Sequence, residues 1–478
     1  MDDVDRPAAS SSQDAPAALG GNPAPAVAES LIAEDEVLSR TAPRVGNQRW
    51  ENPFTGLNRQ AKLVILTAWT GFLLVALDAG LFTFMYPTVQ KALGISLDGI
   101  ATLFTISFIL SAVGSFIFGP LLDRLGRKRI FNITLLFTAL GSALTGAATG
   151  LVSLNIYRAI TGLGGAGEND AGQTMVAEVV PAKVRGFWNG FIQTGYPAGY
   201  LAAAGLSAVL LPAIGWRWAF VCGIVPAVAI VMARLWVKET PRYEALRRAH
   251  KGAELSTDVD GIVARIDVKS ARKFEYVQLF QRGLRRNTIL ICLWQFIYTY
   301  GAAGIITWIP AIIIGLNYTQ GDVFEVAAIA QALGLAGYLA AALIGNRVGR
   351  RELAAIWLTI GGLSGFVFLI FGTTSLVEIG LVYGFYYFFS IGQMGAAIGF
   401  IAEVFPTRVR GSAMSLTYGV GASGGFIVAS ATGPLTIDAL GYTGSLFLWA
   451  GVTSFVAAAM AFGTTRVRPG LVLEDIST

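Results

Sequence analysis

The chain alternates between long apolar stretches and short polar loops. From Leu63 onward it contains twelve stretches long enough to cross a bilayer, whose hydrocarbon core of about 30 Å needs about 20 apolar residues in a helix. Their approximate bounds are 63–89, 100–122, 130–150, 151–180, 187–215, 218–237, 288–314, 323–345, 353–372, 379–405, 412–435 and 445–463. The pattern predicts an all-α membrane protein with twelve transmembrane helices.

Polar segments divide these stretches into two groups of six. Residues 1–57 are rich in Ala, Pro and Ser without an apolar run, so we expect a disordered cytoplasmic tail rather than a signal peptide. The charged segment 238–287 is predicted to be a cytoplasmic linker, with amphipathic surface helices in PRYEALRRAH and KFEYVQLFQRGLRRN. We therefore expect six-helix bundles at 58–237 and 288–465 and a second cytoplasmic tail at 466–478.

The distribution of Lys and Arg predicts the orientation. These residues concentrate in alternate loops, at 123–129, 181–186, 238–287, 346–351 and 406–411. The opposite loops contribute little beyond Lys91 and Arg217. Because cytoplasmic loops are enriched in Lys and Arg, we expect both termini in the cytoplasm and a multi-pass protein of the cell inner (plasma) membrane.

Composition narrows the class of protein. Hydrophobic residues make up 54% of the chain and charged residues 14%, and the basic residues behind the net charge of +5 lie between apolar stretches. They are therefore interpreted as topology signals rather than as a nucleic-acid site. Cys222 and Cys292 lie in apolar stretches without metal-ligand spacing, and His250, the single histidine, lies in the linker. We expect a monomer in the lipid bilayer, no enzyme, no metal or other cofactor, and carboxylates as the proton carriers.

Two motifs recur in the second half of the chain. EVVPAKVRG begins at Glu178 and EVFPTRVRG at Glu403, a separation of 403 − 178 = 225. GPLLDRLGRKR contains Asp123 and LIGNRVGRR contains Asn346, a separation of 346 − 123 = 223. The chain is therefore predicted to be a duplicated six-helix unit. Since six is even, the repeat is parallel, and we expect a solute site between the halves.

The loop GPLLDRLGRKR resembles the signature loop between the second and third helices of the major facilitator superfamily, and the resemblance covers about 58–465. It implies two six-helix bundles that transport a solute by alternating access. Asp123 is then expected to face the N-terminal end of the eleventh helix and hold the inner gate shut, with Glu178 bracing Arg185 and Glu403 bracing Arg410. The residues expected in this gate are Gly119, Asp123, Arg124, Gly126, Arg127, Glu178, Arg185, Asn346, Arg347, Glu403 and Arg410.

Within that superfamily the sequence resembles two kinds of branch. Arg158, Gly162, Gly164 and Glu178 keep the spacing of the sugar porters, which GWRW at 215–218 and KETPRY at 238–243 also resemble. Glu168 resembles instead the acid of the sialate and metabolite proton symporters and of the phosphate proton symporters. The first helix, LNRQAKLVILTAWTGFLLVALDAG, is similar to the sialate and aromatic-acid symporters, with Asp78 as one of their two acids.

These resemblances imply proton-coupled uptake of a small polar organic solute, most simply an organic acid such as a sialate, an aromatic acid or a sugar acid. A sugar, polyol or phosphate symporter is the first alternative. NGFIQTGYPAGY at 189–200 partly resembles the motif of drug antiporters, so an efflux antiporter is the second, and a sensor built on a transporter fold is the third.

Charged residues inside the first and fourth apolar stretches are the candidates for proton coupling, since charges at that depth need a partner or a wet cavity. They are Asp78, Arg158 and Glu168. The resemblance to sugar porters implies that Asp78 pairs with Arg158, and a carboxylate that leaves an arginine for a drier cavity is driven toward its protonated form. No other arginine is expected at mid-depth, so a substrate carboxylate would need Arg158 or a protonated Glu168.

Polar and aromatic side chains in the apolar stretches are the candidates for substrate binding. On a helical wheel Arg158 and Asn169 share one face, Glu168 lies at its edge as the expected cavity acid, and Asp170 is turned further round. The full set of candidates is Arg158, Glu168, Asn169, Asp170, Gln173, Gln193, Tyr196, Gln295, Tyr298, Tyr300, Trp308, Tyr387 and Gln393. Those in the second half are neutral groups suited to hydroxyls, amides and rings.

Overall fold

The fold is known from a computed structural model of the full chain. The structure describes residues 57–240, 244, 275–281, 283–371, 375–405 and 410–466. The expected N-terminal tail, most of the linker and the C-terminal tail lie outside the described residues. All described residues belong to one unit.

The described residues form α-helices joined by short turns, with three π-helical turns in the second half. The first-half helices are α1 (Arg59–Leu93), α2 (Leu97–Leu125), α3 (Arg127–Thr145), α4 (Leu151–Val179), α5 (Ala182–Gln193), α6 (Gly195–Cys222) and α7 (Ile224–Arg234). Those that follow are α8 (Glu275–Gln278), α9 (Arg285–Gly315), α10 (Gln320–Val348), α11 (Arg350–Phe371), α12 (Leu376–Tyr386), α13 (Met394–Val404), α14 (Arg410–Leu416), α15 (Gly424–Leu446) and α16 (Thr453–Gly463). The π-helical turns are Tyr387–Ile391, Thr417–Ser423 and Phe447–Val452.

These helices make up the twelve predicted spans. Helices α1 to α4 are spans one to four and α9 to α11 are spans seven to nine, while the shorter helices join end to end in the others. Eight continuous segments are long and apolar enough to cross a membrane. Two of them, of 48 and 52 residues, each contain two spans divided at a glycine, and α3 and α4, which carry more polar residues, supply the last two. The twelve-helix prediction is confirmed.

Residues with positive φ reproduce the internal repeat. The six described residues with positive φ form three pairs that are 223, 223 and 226 positions apart, namely Gly94 with Asn317, Gly126 with Gly349, and Gly215 with Gly441. The first pair ends the first span of each half, the second ends the second span, and the third divides the fifth span from the sixth. The same backbone breaks therefore recur in both halves, as the parallel duplication predicts.

Local capping explains where several helices begin. The Asn58 side chain accepts a hydrogen bond from the Ala61 backbone nitrogen at 2.7 Å, and Ser96 accepts one from Gly99 at 3.1 Å. Thr319 and Asp322 form a reciprocal capping box at the start of α10. Each cap satisfies a backbone donor that has no partner inside its helix.

The two six-helix halves pack together on both sides of the mid-membrane region. Toward the end that carries the basic loops, here called the basic end, a Cβ placed on Gly190 of the fifth span would collide with the Gly395 carbonyl oxygen of the tenth. Near the middle the rings of Phe108 and Phe426 stack with centroids 4.4 Å apart. Toward the opposite end Gln320 donates a hydrogen bond to a backbone oxygen of the first span. The halves therefore touch at both ends, and the region between these end contacts is here called the enclosed space.

The described part of the linker includes the short helix α8, inside the segment predicted to be amphipathic. The hydroxyl oxygen of Tyr276 lies 3.3 Å from Ser415 Oγ in the eleventh span, and the Tyr276 ring lies 6.3 Å from that of Phe116 in the second. The linker thus touches both halves at the basic end. The other predicted linker helix lies outside the described residues.

Candidate transport site

Asp78 of α1 and Arg158 of α4 form an ion pair between the first and fourth spans. Arg158 Nη1 donates to Asp78 Oδ2 at 2.7 Å, and each side chain is 8% exposed. The Arg158 guanidinium also lies 4.7 Å from the centroid of the Phe82 ring, where it is attracted to the face of the aromatic system. The two residues therefore lie together, in the arrangement that the resemblance to sugar porters implies.

Both members of this pair keep unused hydrogen-bonding capacity. Asp78 Oδ1 and Arg158 Nε are buried and have no hydrogen-bond partner within the described part of the chain. Tyr200 lies close enough to interact electrostatically with both, and its hydroxyl lies beside Thr83. Because buried polar groups are nearly always satisfied, the free positions leave this pair able to bind an additional group.

Tyrosines from both halves surround the enclosed space. Tyr196 and Tyr200 of the fifth span have ring centroids 4.9 Å apart, and Tyr383 and Tyr387 of the tenth have theirs 4.7 Å apart. Tyr196 interacts electrostatically with residues of the seventh, eighth and tenth spans. We call this set the tyrosine cluster; its members are Tyr196, Tyr200, Tyr298, Tyr338, Tyr383, Tyr386 and Tyr387. It supplies flat rings and hydroxyls on the side of the space that faces Arg158.

Three buried amides lie on the fifth, seventh and tenth spans. Gln393 has no hydrogen-bond partner for either amide atom among the described residues, and Gln193 and Gln295 have none for their carbonyl oxygens. Gln393 lies beside Tyr298, and the Gln295 amide nitrogen lies 3.9 Å from the Met394 sulfur. These amides can donate to and accept from a neutral polar group on a ligand.

Glu168 forms a different ion pair, with Arg234 at the end of α7. Arg234 contacts both Glu168 carboxylate oxygens, at 3.0 Å for Oε2, and Thr134 Oγ1 donates to Oε2 at 3.2 Å. The guanidinium also donates to the backbone oxygens of Phe131 and Thr67 at 2.5 and 3.1 Å. The exposed fractions of the Arg234 and Glu168 side chains are 0% and 1%. This network ties the first, third, fourth and sixth spans together.

That network contradicts one expectation. Glu168 does not face the enclosed space, because Arg234 and Thr134 surround its carboxylate on the other flank of α4. Arg234 is a second fully buried arginine, but it contacts the Thr67 backbone oxygen near the start of α1 and so lies nearer the basic end than Arg158 does. The signal for Arg234 was present, because it is a basic residue inside the apolar stretch 218–237. Periodicity within one helix did not show which helix it would contact.

The remaining candidates have varied surroundings. Trp308 lies in the packing between the seventh and eleventh spans, where its indole nitrogen donates to the Ala429 carbonyl at 3.1 Å, so ring packing rather than ligand access explains its burial. Tyr300 is partly buried and packs against the hydrophobic core. Gln173 donates to Asn169 Oδ1 at 3.3 Å. Asp170 lies beside Ser115 and Tyr418 at the contact between the halves.

At the basic end Arg127 and Glu178 form a buried ion pair at 3.3 Å. The Thr240 hydroxyl donates to the other Glu178 oxygen at 2.5 Å, and Glu239 accepts from the Arg127 backbone nitrogen at 3.1 Å. Arg347 is exposed, and Gly126 has a φ of 104° where the second span ends. The remaining gate predictions depend on side chains outside the described part, those of Asp123, Arg124, Arg185, Asn346, Glu403 and Arg410. Those predictions stay open.

Comparison with known proteins decides the family. Residues 68–429 match the sequence profile of the Major Facilitator Superfamily. The chain belongs to this superfamily. As a member of it, the protein is a multi-pass membrane transporter and not an enzyme.

Several curated members of the Major Facilitator Superfamily are similar over most of the chain. The niacin transporter NiaP of Acinetobacter baylyi is 29% identical over 365 residues, which cover 74% of this chain and 82% of that protein. The sialic acid transporter NanX of Escherichia coli is 25% identical over 377 residues, covering 77% and 86%. The solved proton:xylose symporter XylE bound to 6-bromo-6-deoxy-D-glucose has a TM-score of 0.70 and 18% identity, covering 87% and 98%, and shares the fold.

Proposed function

We propose that this transporter is a proton-coupled symporter that takes up small organic acids by alternating access. The observation that carries the proposal is the buried Asp78–Arg158 pair, which has free hydrogen-bonding positions and faces the tyrosine cluster between the halves. A proton on Asp78 would release Arg158 from its carboxylate partner. The substrate carboxylate could then take that place, so binding of the proton and binding of the substrate favour each other.

The electrostatics of the two ion pairs support Arg158 as the substrate anchor. Glu168 already engages Arg234 on both carboxylate oxygens, whereas Arg158 donates to one oxygen of Asp78 and leaves Oδ1 without a partner among the described residues. A guanidinium binds a carboxylate well through two parallel hydrogen bonds. Among the arginines that the structure describes, Arg158 is therefore the one expected to bind an anionic substrate.

The surrounding rings and amides favour a planar acid with a second polar group. Tyrosine rings stack on flat ligands, and the free amides of Gln193, Gln295 and Gln393 can bind a hydroxyl, ring nitrogen or carbonyl. The relatives include transporters named for niacin, gentisate and cis,cis-muconate, which are planar acids. We infer a similar substrate class here. Transport of a sugar, a polyol or phosphate, or export of the substrate, would contradict this inference.

Orientation and cellular location belong to the same proposal. The basic end carries Arg127, Lys128 and the linker helix, and by the bias of Lys and Arg it lies in the cytoplasm with both termini. We propose that the protein acts as a monomer in the plasma membrane, with one substrate site between its two halves.

Uptake into proteoliposomes tests this function. Purified full-length protein is assayed with labelled niacin, gentisate, muconate, xylose and phosphate, with and without an inward acid gradient. We expect accumulation of at least one of the planar acids only when the gradient is present. Accumulation of xylose or phosphate alone would show that the substrate class is a sugar or phosphate instead. Uptake driven by an outward-directed proton gradient would indicate an antiporter.

Replacing Asp78 by Asn tests the coupling residue. The amide cannot bind and release a proton, so accumulation is expected to fall from about tenfold per unit of pH gradient to the external concentration, while exchange of substrate across the membrane persists. The matched control is Asp438→Asn, because Asp438 is exposed at the opposite end of the eleventh span. Accumulation by Asp78→Asn at the level of the control would refute the role of Asp78.

A further inference from the structure

A second acid lies at the contact between the two halves, away from the Asp78–Arg158 pair. Asp170 is on α4, 12 residues after Arg158, which places it about 18 Å farther along the helix axis toward the basic end. Ser115 of the second span and Tyr418 of the eleventh lie beside it. Since Tyr418 belongs to the other half, Asp170 lies where the halves separate when the basic end opens.

The Asp170 side chain is partly buried, and its carboxyl has no charged partner within the described part of the chain. Its Oδ2 is shielded from solvent and has no hydrogen-bond partner among the residues that the structure describes. An ionised carboxylate in such surroundings is costly unless it is paired, so the group either takes up a proton or moves into water.

The charges that the structure describes on the elements packed around Asp170 are engaged elsewhere. On α1, Asp78 pairs with Arg158; on α3, Arg127 pairs with Glu178. On α4 itself, Glu168 is turned toward Arg234. The second span brings Ser115 and the eleventh brings Tyr418, which is neutral near pH 7. The charged side chains of Asp123, Arg124 and Arg410 on those two spans, and the basic side chains of α5, lie outside the described part. The described surroundings therefore offer Asp170 hydroxyls and rings rather than a cation.

The backbone opposite Asp170 leaves regular α-helical geometry. Tyr418 lies in the π-helical turn Thr417–Ser423, where the eleventh span departs from regular α-helical hydrogen bonding. Such turns are often functional. On the second span the Phe116 ring packs against Gly419 of the same turn, where a Cβ would lie 3.0 Å from it. A small change in this turn would therefore alter the contact that encloses Asp170.

We propose that Asp170 is a proton-binding site that controls the gate at the basic end. With its proton bound, Asp170 is neutral and the second and eleventh spans close over it; when the proton leaves, the carboxylate draws water in and the halves part. The closed state binds the proton more tightly, so raising the pH favours the open gate and lowering it favours the closed one. In the orientation proposed above, this site senses cytoplasmic pH and stops proton-coupled uptake when the cytoplasm becomes acidic.

Cysteine labelling at the gate tests the proposal without any substrate. The reporter is Ser415→Cys, since Ser415 is buried beside Tyr276 at this contact, in a full-length background carrying Cys222→Ser and Cys292→Ser. Maleimide labelling is measured from pH 5.5 to 8 with and without Asp170→Asn. Dividing the two rates at each pH removes the intrinsic pH dependence of the thiol.

Labelling of the Asp170 protein is expected to equal that of Asp170→Asn at low pH and to exceed it at high pH. The ratio should rise by three- to tenfold per pH unit through the transition, the upper limit being that of about tenfold for a single proton. A ratio that stays constant over the whole range would overturn the proposal. Asp438→Asn serves as the matched exposed acid and should leave the profile unchanged.

A second variant tests the proposal even if Asp170→Asn folds poorly. Tyr418→Phe keeps the ring but removes the hydroxyl that interacts electrostatically with the acid, so ionisation becomes harder and the transition should move to higher pH. An unchanged midpoint would contradict the assignment. Because labelling is measured without substrate or a pH gradient, its outcome is independent of the accumulation assay, which separates failure of this gate from failure of the proposed transport function.

Discussion

At the scale of single residues, two buried ion pairs have different roles because their surroundings differ. Asp78 and Arg158 face the space between the halves and retain free polar atoms. Glu168 and Arg234 lie inside the first half, where Arg234 and Thr134 engage both Glu168 oxygens and two backbone oxygens accept from Arg234, although Arg234 Nε has no partner among the described residues. A carboxylate with a free oxygen can exchange partners during transport, whereas a carboxylate engaged on both oxygens holds helices together.

Breaking the Glu168–Arg234 pair is expected to destabilise the first half. Arg234→Met or Glu168→Gln leaves the partner charge buried without compensation, at a cost of about 3–5 kcal/mol. The double variant Glu168→Leu with Arg234→Met should be more stable than either single variant, because no buried charge remains. Apparent melting temperatures in detergent measure both effects.

The control for that series is an exposed arginine in an ion pair. Arg466 lies 2.9 Å from Glu352 and is 70% exposed, so Arg466→Gln should change the melting temperature little. If the single Glu168 and Arg234 variants have the same melting temperature as this control, the buried pair does not hold the spans together.

At the scale of helices, glycines with positive φ divide the chain into its spans. Gly215 has φ 75° and ψ 166° and Gly441 has φ 66° and ψ 179°, a region of backbone conformation that is almost restricted to glycine. Each break turns the chain back into the membrane without a polar loop. The pattern of apolar residues located these two boundaries only approximately, because hydropathy changes little across them.

Substitution at Gly215 is expected to destabilise the protein through backbone strain alone. No atom lies within 4 Å of where a Cβ would be, so Gly215→Ala meets no steric contact but costs about 1–3 kcal/mol in conformation. Gly205→Ala is the matched control, because Gly205 has equally open space in a regular part of α6 and should gain about 0.5–1 kcal/mol. Opposite shifts in melting temperature would support this explanation, whereas equal shifts would contradict it.

At the scale of the whole molecule, the halves approach each other through small residues at the basic end. A Cβ on Gly190 would collide with the Gly395 carbonyl and lie 3.2 Å from the Ala342 side chain, both in the other half. By contrast, Gly164 meets Thr134 and Thr138 within its own half. The first contact must separate during alternating access, and the second need not.

Gly190→Ala is therefore expected to shift the equilibrium between conformations. Overpacking should weaken the closed state by about 1–3 kcal/mol, so labelling of Ser415→Cys rises while the melting temperature changes little. Gly164→Ala should do the reverse, lowering the melting temperature without raising labelling. Equal behaviour of the two variants would show that Gly190 does not belong to a moving contact.

The sequence by itself determined the number of spans, the duplication and the family, because each is encoded in local hydropathy or in motifs that repeat along the chain. It also indicated Asp78 and Arg158, through residues that resemble known transporters. Only the tertiary structure decided which buried charge meets which partner. Glu168 and Arg234 lie 66 positions apart, and their contact depends on how α4 and α7 are rotated and packed. Neither the period of one helix nor its composition contains that relative rotation, since it results from the packing of all the helices around it.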